Sequence, residues 1–240
     1  MINILSVVTP LAGKHEYRMM QKEWTESDLK EVARQLSNPE GDAGVKTGAL
    51  MQVNNANMIQ STIMCLNMDD GDTVLEIGPG NAAHLKFLLS QADGLIYTGA
   101  DISATMVQEA QWLNQDHILA GEASFRLTDG VTLPFPDHSF DKVFTVNTLY
   151  FWAEPLIYAK EIYRILKSGG LFGLTFADQD FMKDLPFTKY GFQLYSQEMA
   201  VGLLEKAGFE IESIIQQNEN ITGNQGMKVS RDFMIVLAGK

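Results

Sequence analysis

From Thr73 onward the sequence alternates short apolar runs with amphipathic segments, and this rhythm constrains the fold more than any other feature of the chain. Thr73–Ile77, Leu95–Ala100, Ser124–Leu127, Asp141–Val146 and Leu171–Phe176 read as buried strands. Between them, Leu85, Leu88, Leu89 and Ala92 recur at helical spacing, as do Met106, Ala110 and Leu113 behind a Ser103 N-cap. Tyr158, Ile162, Ile165 and Leu166 mark one face of a further helix, ended by Ser168-Gly169-Gly170. Strands separated by helices need crossover connections, so the sheet is expected to be mostly parallel and covered on both faces. Ser196 caps a last helix through Ala200, Leu203, Leu204 and Ala207, stopped by Gly208. Phe209–Ile215 and Phe233–Ala238 follow with no helix between them, which predicts an antiparallel pair at one edge of a seven-stranded α/β sheet.

The first 70 residues lack that rhythm and read as an N-terminal helical cap, with residues 71–240 as the core. Trp24–Leu36 is a polar helix, Ser37–Gly44 a loop by its Pro, Gly and Asn content, and Ala49–Leu66 a Met-rich helix. Its Asn54, Asn55 and Asn57 are polar enough to face ligand or solvent. A length of 240 residues suits one α/β domain with an appendage.

Eighteen Lys and Arg against 30 Asp and Glu leave a formal net charge of −12, with no basic run, which argues against nucleic acid as a partner. The single cysteine, Cys65, excludes an intramolecular disulfide and a cysteine-rich metal site. His15, His84, His117 and His138 show no ligand spacing, so no metal is expected. Met1–Gly13 is mildly apolar but too short to span a bilayer and has no basic flank, so a cytoplasmic, reducing setting is the expectation.

Chemistry concentrates in Glu76-Ile77-Gly78-Pro79-Gly80-Asn81-Ala82-Ala83, which joins the first core strand to the first core helix. Small residues let the backbone turn tightly and approach a ligand, and the following helix offers free N–H groups. The pattern Gly78-x-Gly80-x-x-Ala83 satisfies a dinucleotide fingerprint, so a nicotinamide-dependent oxidoreductase is one reading. Glu76 separates the readings. A carboxylate at the end of a buried strand costs several kcal/mol unless paired. It has no use beside an anionic pyrophosphate, but it suits a zwitterionic, sulfonium-bearing ligand.

With Glu76, Gly78 and Gly80 in place, the sequence resembles the class I S-adenosylmethionine-dependent methyltransferases, whose first motif runs acid-x-Gly-x-Gly-x-Gly. Ala82 stands at the third glycine, leaving less room beside the methionine moiety. The motifs span Asp72–Gly173 and look closest to the small-molecule branch that includes ubiquinone/menaquinone and sterol methyltransferases. The resemblance implies a Rossmann-like sheet and S-adenosylmethionine as cofactor, with Asn81 in the glycine turn. It implies that Asp101, in Gly99-Ala100-Asp101-Ile102-Ser103, grips the ribose hydroxyls with Ile102 beside it. Asp129, in Thr128-Asp129-Gly130, matches the acid that accepts from the adenine amino group, and Asn147 lines cofactor and acceptor. Leu133–Asp141 is similar to that family's approach to the fourth strand.

Tyr150-Phe151-Trp152 follows the fourth strand, and segment 178–195 holds Phe181, Phe187, Tyr190, Phe192 and Tyr195. The second stretch is either core beneath a long loop or a lid over an apolar acceptor pocket, with Tyr150, Trp152 and Tyr190 as its acceptor contacts. His84 and His138 read as boundary or surface residues; His15 beside Tyr17 stands in a segment able to close such a site, but the reading without a functional role leads there too. The expected reaction is in-line methyl transfer to a small molecule, with no general base singled out. The alternatives are the oxidoreductase and a protein that binds the cofactor without catalysis.

Overall fold

The computed structural model describes residues 24–222 and 228–240; Met1–Gly13, His15 and Tyr17 lie outside them. Seven strands form one sheet: β1 (Thr73–Ile77), β2 (Ile96–Asp101), β3 (Ala123–Leu127), β4 (Phe140–Val146), β5 (Leu166–Ala177), β6 (Glu210–Thr222) and β7 (Lys228–Gly239). Their order is β3-β2-β1-β4-β5-β7-β6. The first five run parallel, and β7 lies antiparallel to both β5 and β6. The chain moves outward from β1 to β2 and β3, then returns to place β4 on the other side of β1. At such a reversal the connections leave the sheet in opposite directions, opening a crevice at the carboxyl ends of β1 and β4.

Alternate residues of each strand feed two cores. Leu75, Phe172, Leu174 and Val236 pack with α7 (Pro155–Ile165) and α9 (Gln197–Ala207). Val74, Phe144, Phe233 and Ile235 pack with α3 (Ala56–Cys65), α4 (Leu85–Leu89) and α5 (Ala104–Leu113). Met58, Ile63 and Leu66 are buried, and the Thr62 and Thr175 hydroxyls are 2.6 Å apart, so α3 is part of the helical layer over the sheet. The remaining N-terminal helices, α1 (Glu26–Ser37) and α2 (Gly41–Asn54), stand beside the crevice.

Three local expectations are corrected. The helix expected over Ala49–Leu66 is two helices broken at Asn55, and α2 begins at Gly41 inside the expected loop. Glycines there serve close packing: a Cβ on Gly44 would sit 2.6 Å from the Pro39 carbonyl carbon, and one on Gly48 would meet Met106 Sδ. Ser168-Gly169-Gly170 does not end a helix but lies inside β5, where the register slips between Phe140 and Lys142. Finally, β6 and β7 run well past their apolar cores through polar residues. Cross-strand pairs carry the ladder there, Asn218 to Asp232 and Glu219 to Arg231. Among the described residues no helix is long and apolar enough to cross a membrane.

Candidate functional site

The β1–α4 turn forms the floor of the crevice. Gly78 and Gly80 take φ of +71° and +59°, and a Cβ on Gly78 would collide with the Thr148 methyl. Ala82 adopts φ +49° while fully buried, a conformation that costs an L-residue roughly 1–2 kcal/mol. The turn therefore keeps its left-handed path even where a side chain replaces hydrogen. The Gly78 N–H donates to the Ala100 carbonyl at 2.8 Å, tying the turn to β2.

Two acids flank this floor. Asp101 ends β2 and is 7% exposed; its oxygens accept from the backbone N–H of Gly80 at 3.1 Å and Ser103 at 2.8 Å. Burial pushes its carboxyl up to about 6, against the lowering effect of those donors and with the Glu76 charge adding to the rise. Glu76 is 2% exposed and shares its Oε2 between the Tyr97 hydroxyl, at 2.6 Å, and His84 Nε2, at 2.7 Å. His84 Nδ1 lies 3.3 Å from Gln52 Oε1. Burial first, then Glu76, hold the Tyr97 phenol well above its ordinary range. His84 is thus corrected from a boundary residue to a buried partner of the motif acid. It sits on the turn immediately before α4, which points inward there because Leu85 and Leu88 pack beneath it.

The open cleft above spans about 970 Å³, part of it open to solvent. Glu76, Gly78, Gly80, Asn81, Asp101, Ile102, Gly130, Asn147 and Trp152 all line it, so nine expected residues meet in one place. Asp129 does not line it. Its exposed carboxylate is closed on itself, accepting from the N–H groups of Val131 (2.8 Å) and Thr132 (2.7 Å) and from the Thr132 hydroxyl. Those donors hold it below the usual carboxylate range, and Thr128 and Gly130 form the wall in its stead. Tyr190 is also displaced: it lies under the Lys30 ammonium, 5.5 Å from ring centroid to nitrogen, and lines neither cavity. Among the described residues no group of three or more His, Cys, Asp or Glu is placed to hold a metal ion.

A second cavity of about 700 Å³ adjoins the cleft and shares Leu36, Met51, Asn55, Asn147 and Phe151 with it. Tyr150, Phe181, Phe187 and Phe192 give it an aromatic wall, so segment 178–195 is at once core and cavity lining. A chain of polar groups crosses the boundary. Tyr150 donates to Asn147 Oδ1 at 3.0 Å, Asn147 Nδ2 donates to Asn55 Oδ1 at 3.1 Å, and Arg231 Nη1 donates to that same oxygen at 3.2 Å. Arg231 also bonds the Asn54 carbonyl and pairs with Glu219. Of these, Arg231 and Glu219 carried no sequence signal, since both stand in a stretch that reads as polar connection. Asn55 was marked only by its place among three asparagines.

Comparison with known proteins agrees with this geometry. A family profile described as methyltransferase domain matches residues 75–174. The uncharacterized methyltransferase YdaC of Bacillus subtilis is 28% identical over 157 residues, covering 65% of this chain and 84% of YdaC. The 2-methyl-6-phytyl-1,4-hydroquinone methyltransferase of Synechocystis is 34% identical over 101 residues, which are 42% of this chain and 30% of that enzyme. In three dimensions, a SAM-dependent methyltransferase from Methanosarcina mazei superposes with a TM-score of 0.58 at 24% identity, over 74% of this chain and 96% of its own. At that identity the likeness speaks for the fold.

Proposed function

We propose that the chain is a class I S-adenosylmethionine-dependent methyltransferase and that it methylates a small molecule held in the second cavity. The observation that carries the reading is the adjoining pair of cavities, one floored by the glycine turn and its buried acids, the other walled by aromatics. When bound, S-adenosylmethionine supplies a methyl group already activated by its sulfonium, which passes to the acceptor by in-line displacement.

The chain's own residues would do the rest. Gly78 and Gly80 leave the backbone free of side chains where the amino-acid part lies. Glu76 keeps Oε1 for an ammonium while His84 and Tyr97 hold Oε2. Asp101 suits a vicinal diol, having one oxygen on each of two backbone donors and lone pairs remaining. Thr128, Gly130 and Ile102 offer a wall for a flat base, with Asn81 at the turn and Trp152 and Asn147 toward the acceptor. The helices α1 and α2 act as a cap, through Leu36, Pro39 and Met51, and segment 178–195 acts as a lid; both keep water from the reacting atoms. Alignment in such a dry site supplies most of the rate, because bound reactants reach high effective molarity. The acidic surface disfavours a polyanionic acceptor such as nucleic acid, and the lone free thiol of Cys65 accords with a cytoplasmic setting.

Titration calorimetry with S-adenosylhomocysteine and with NAD decides between this reading and the oxidoreductase. S-adenosylhomocysteine is expected to bind and NAD to give no heat; the reverse result would sink the proposal. Methyl transfer from labelled cofactor to an extract metabolite then separates an enzyme from a protein that only binds.

A further inference from the structure

The boundary between the two cavities holds one polar group with hydrogens to spare. Asn147 is saturated: its Oδ1 accepts from Tyr150 and from the Ala177 N–H, and its Nδ2 reaches Asn55 Oδ1 and Met58 Sδ. Asn55 is not. Its Oδ1 receives both Arg231 Nη1 and Asn147 Nδ2, and because Arg231 only donates, this fixes which end of the amide is oxygen. Among the described residues Asn55 Nδ2 has no partner, and Asn55 lines both cavities. A donor is therefore locked in orientation at the place where methyl and acceptor must meet.

The charge beside it is already spent. Arg231 is the cationic residue of the second cavity's lining, yet its guanidinium binds Glu219 through Nε at 2.8 Å and Nη2 at 2.5 Å. Both side chains are nearly buried, at 7% and 11% exposed. As a unit the pair is neutral, so among the described lining residues a carboxylate entering the chamber finds no free cation and an ammonium finds no carboxylate. Burying either unpaired is costly.

Resting on the function proposed above, we infer that the acceptor is an uncharged, largely apolar molecule whose oxygen is held by Asn55 Nδ2. Asn55 is the positioning residue, and the Glu219–Arg231 pair is the element that rejects ionised congeners.

Three probes of one shape test this: 2-naphthol, 2-naphthoate and 2-naphthylmethylammonium, titrated calorimetrically into the full chain saturated with S-adenosylhomocysteine. The naphthol is expected to bind at least about tenfold more tightly than either ion. Asn55→Leu should weaken naphthol about tenfold, as for one lost hydrogen bond in a dry site. Equal losses of naphthol and S-adenosylhomocysteine affinity, or no loss of either, overturn the role of Asn55. Glu219→Gln keeps an oxygen for Arg231 but frees its charge, so naphthoate affinity should rise about tenfold. Naphthoate binding the unaltered protein as tightly as naphthol overturns the inference, as does a Glu219→Gln protein that binds S-adenosylhomocysteine without that gain. If S-adenosylhomocysteine itself fails to bind, the proposed function falls instead; if it binds and the charge preference is absent, only this inference falls.

Discussion

At Asp101, burial and function pull against each other. Its carboxyl is pushed up to about 6 from an ordinary value near 4, so burial favours the proton while a diol-bearing ligand favours the charge. For folding, the native state holds that proton to higher pH than the unfolded chain. This group therefore adds stability as pH falls from above 6 toward 4, and withdraws it on the way up. For binding the sign reverses: a diol donates best to the ionised form. Affinity for S-adenosylhomocysteine is expected to be flat above pH 7 and to weaken below about 6, approaching tenfold per unit. A calorimetric pH series checks this, and a flat series down to pH 5 would remove Asp101 from the site.

His84 makes the second residue-scale prediction. His84→Leu deprives Glu76 and Gln52 of a partner in a buried place and should destabilise by about 1–3 kcal/mol in urea unfolding. His84→Gln should cost less. The acid Glu76 was legible in the sequence because a carboxylate on an apolar strand stands out, whereas its partners were not. Tyr97 reads as ordinary strand core and His84 as a helix-start polar residue until the fold brings them within 2.7 Å. Asp129 is the converse case: its place in the motif was legible, but Thr132, three residues on, holds its carboxylate away from the cleft lining.

At the scale of elements, strand and helix order was readable because apolar periodicity carries it, and Ser103, Ser196 and Gly208 mark helix ends where expected. Glycine misled where it packs rather than turns. Gly44 and Gly202 make a paired test of that distinction. Gly44→Ala places a methyl against Pro39 backbone and should cost about 1–3 kcal/mol, more than helix propensity returns. Gly202, inside α9 with nothing within 4 Å of its would-be Cβ, should gain up to about 1 kcal/mol on substitution by Ala. Thermal unfolding of the two proteins should move in opposite directions. The polar ends of β6 and β7 were unreadable for a different reason: alternation of Gln, Asn and Glu has no hydrophobic period, and only the partner strand makes it a ladder.

For the whole molecule, the cleft over the glycine turn draws on α1, α2, strands β1, β2 and β4 and the loop after β3 at once. A ligand there bridges both helical layers and favours the native state over the unfolded one by mass action. At a hundred times its dissociation constant, S-adenosylhomocysteine should add about 2.7 kcal/mol and raise the unfolding midpoint by a few degrees. A midpoint unmoved at high ligand concentration would show that the native chain does not bind it. The overall architecture was legible because it follows from the connection rules of parallel strands. The second cavity was legible only in part: Tyr150 and segment 178–195 were marked, but Arg231 was not, because the walls come from segments far apart in the chain.

That separation has a consequence in time. Arg231 reaches Asn54 and Asn55 across about 176 positions, from the strand that enters the sheet last in chain order yet lies between β5 and β6. As the chain emerges from the ribosome, β1 to β4 can already meet around their reversal point, while β7 must still arrive and insert. The cleft over the glycine turn can thus take shape before the second cavity, whose wall β7 completes through Arg231.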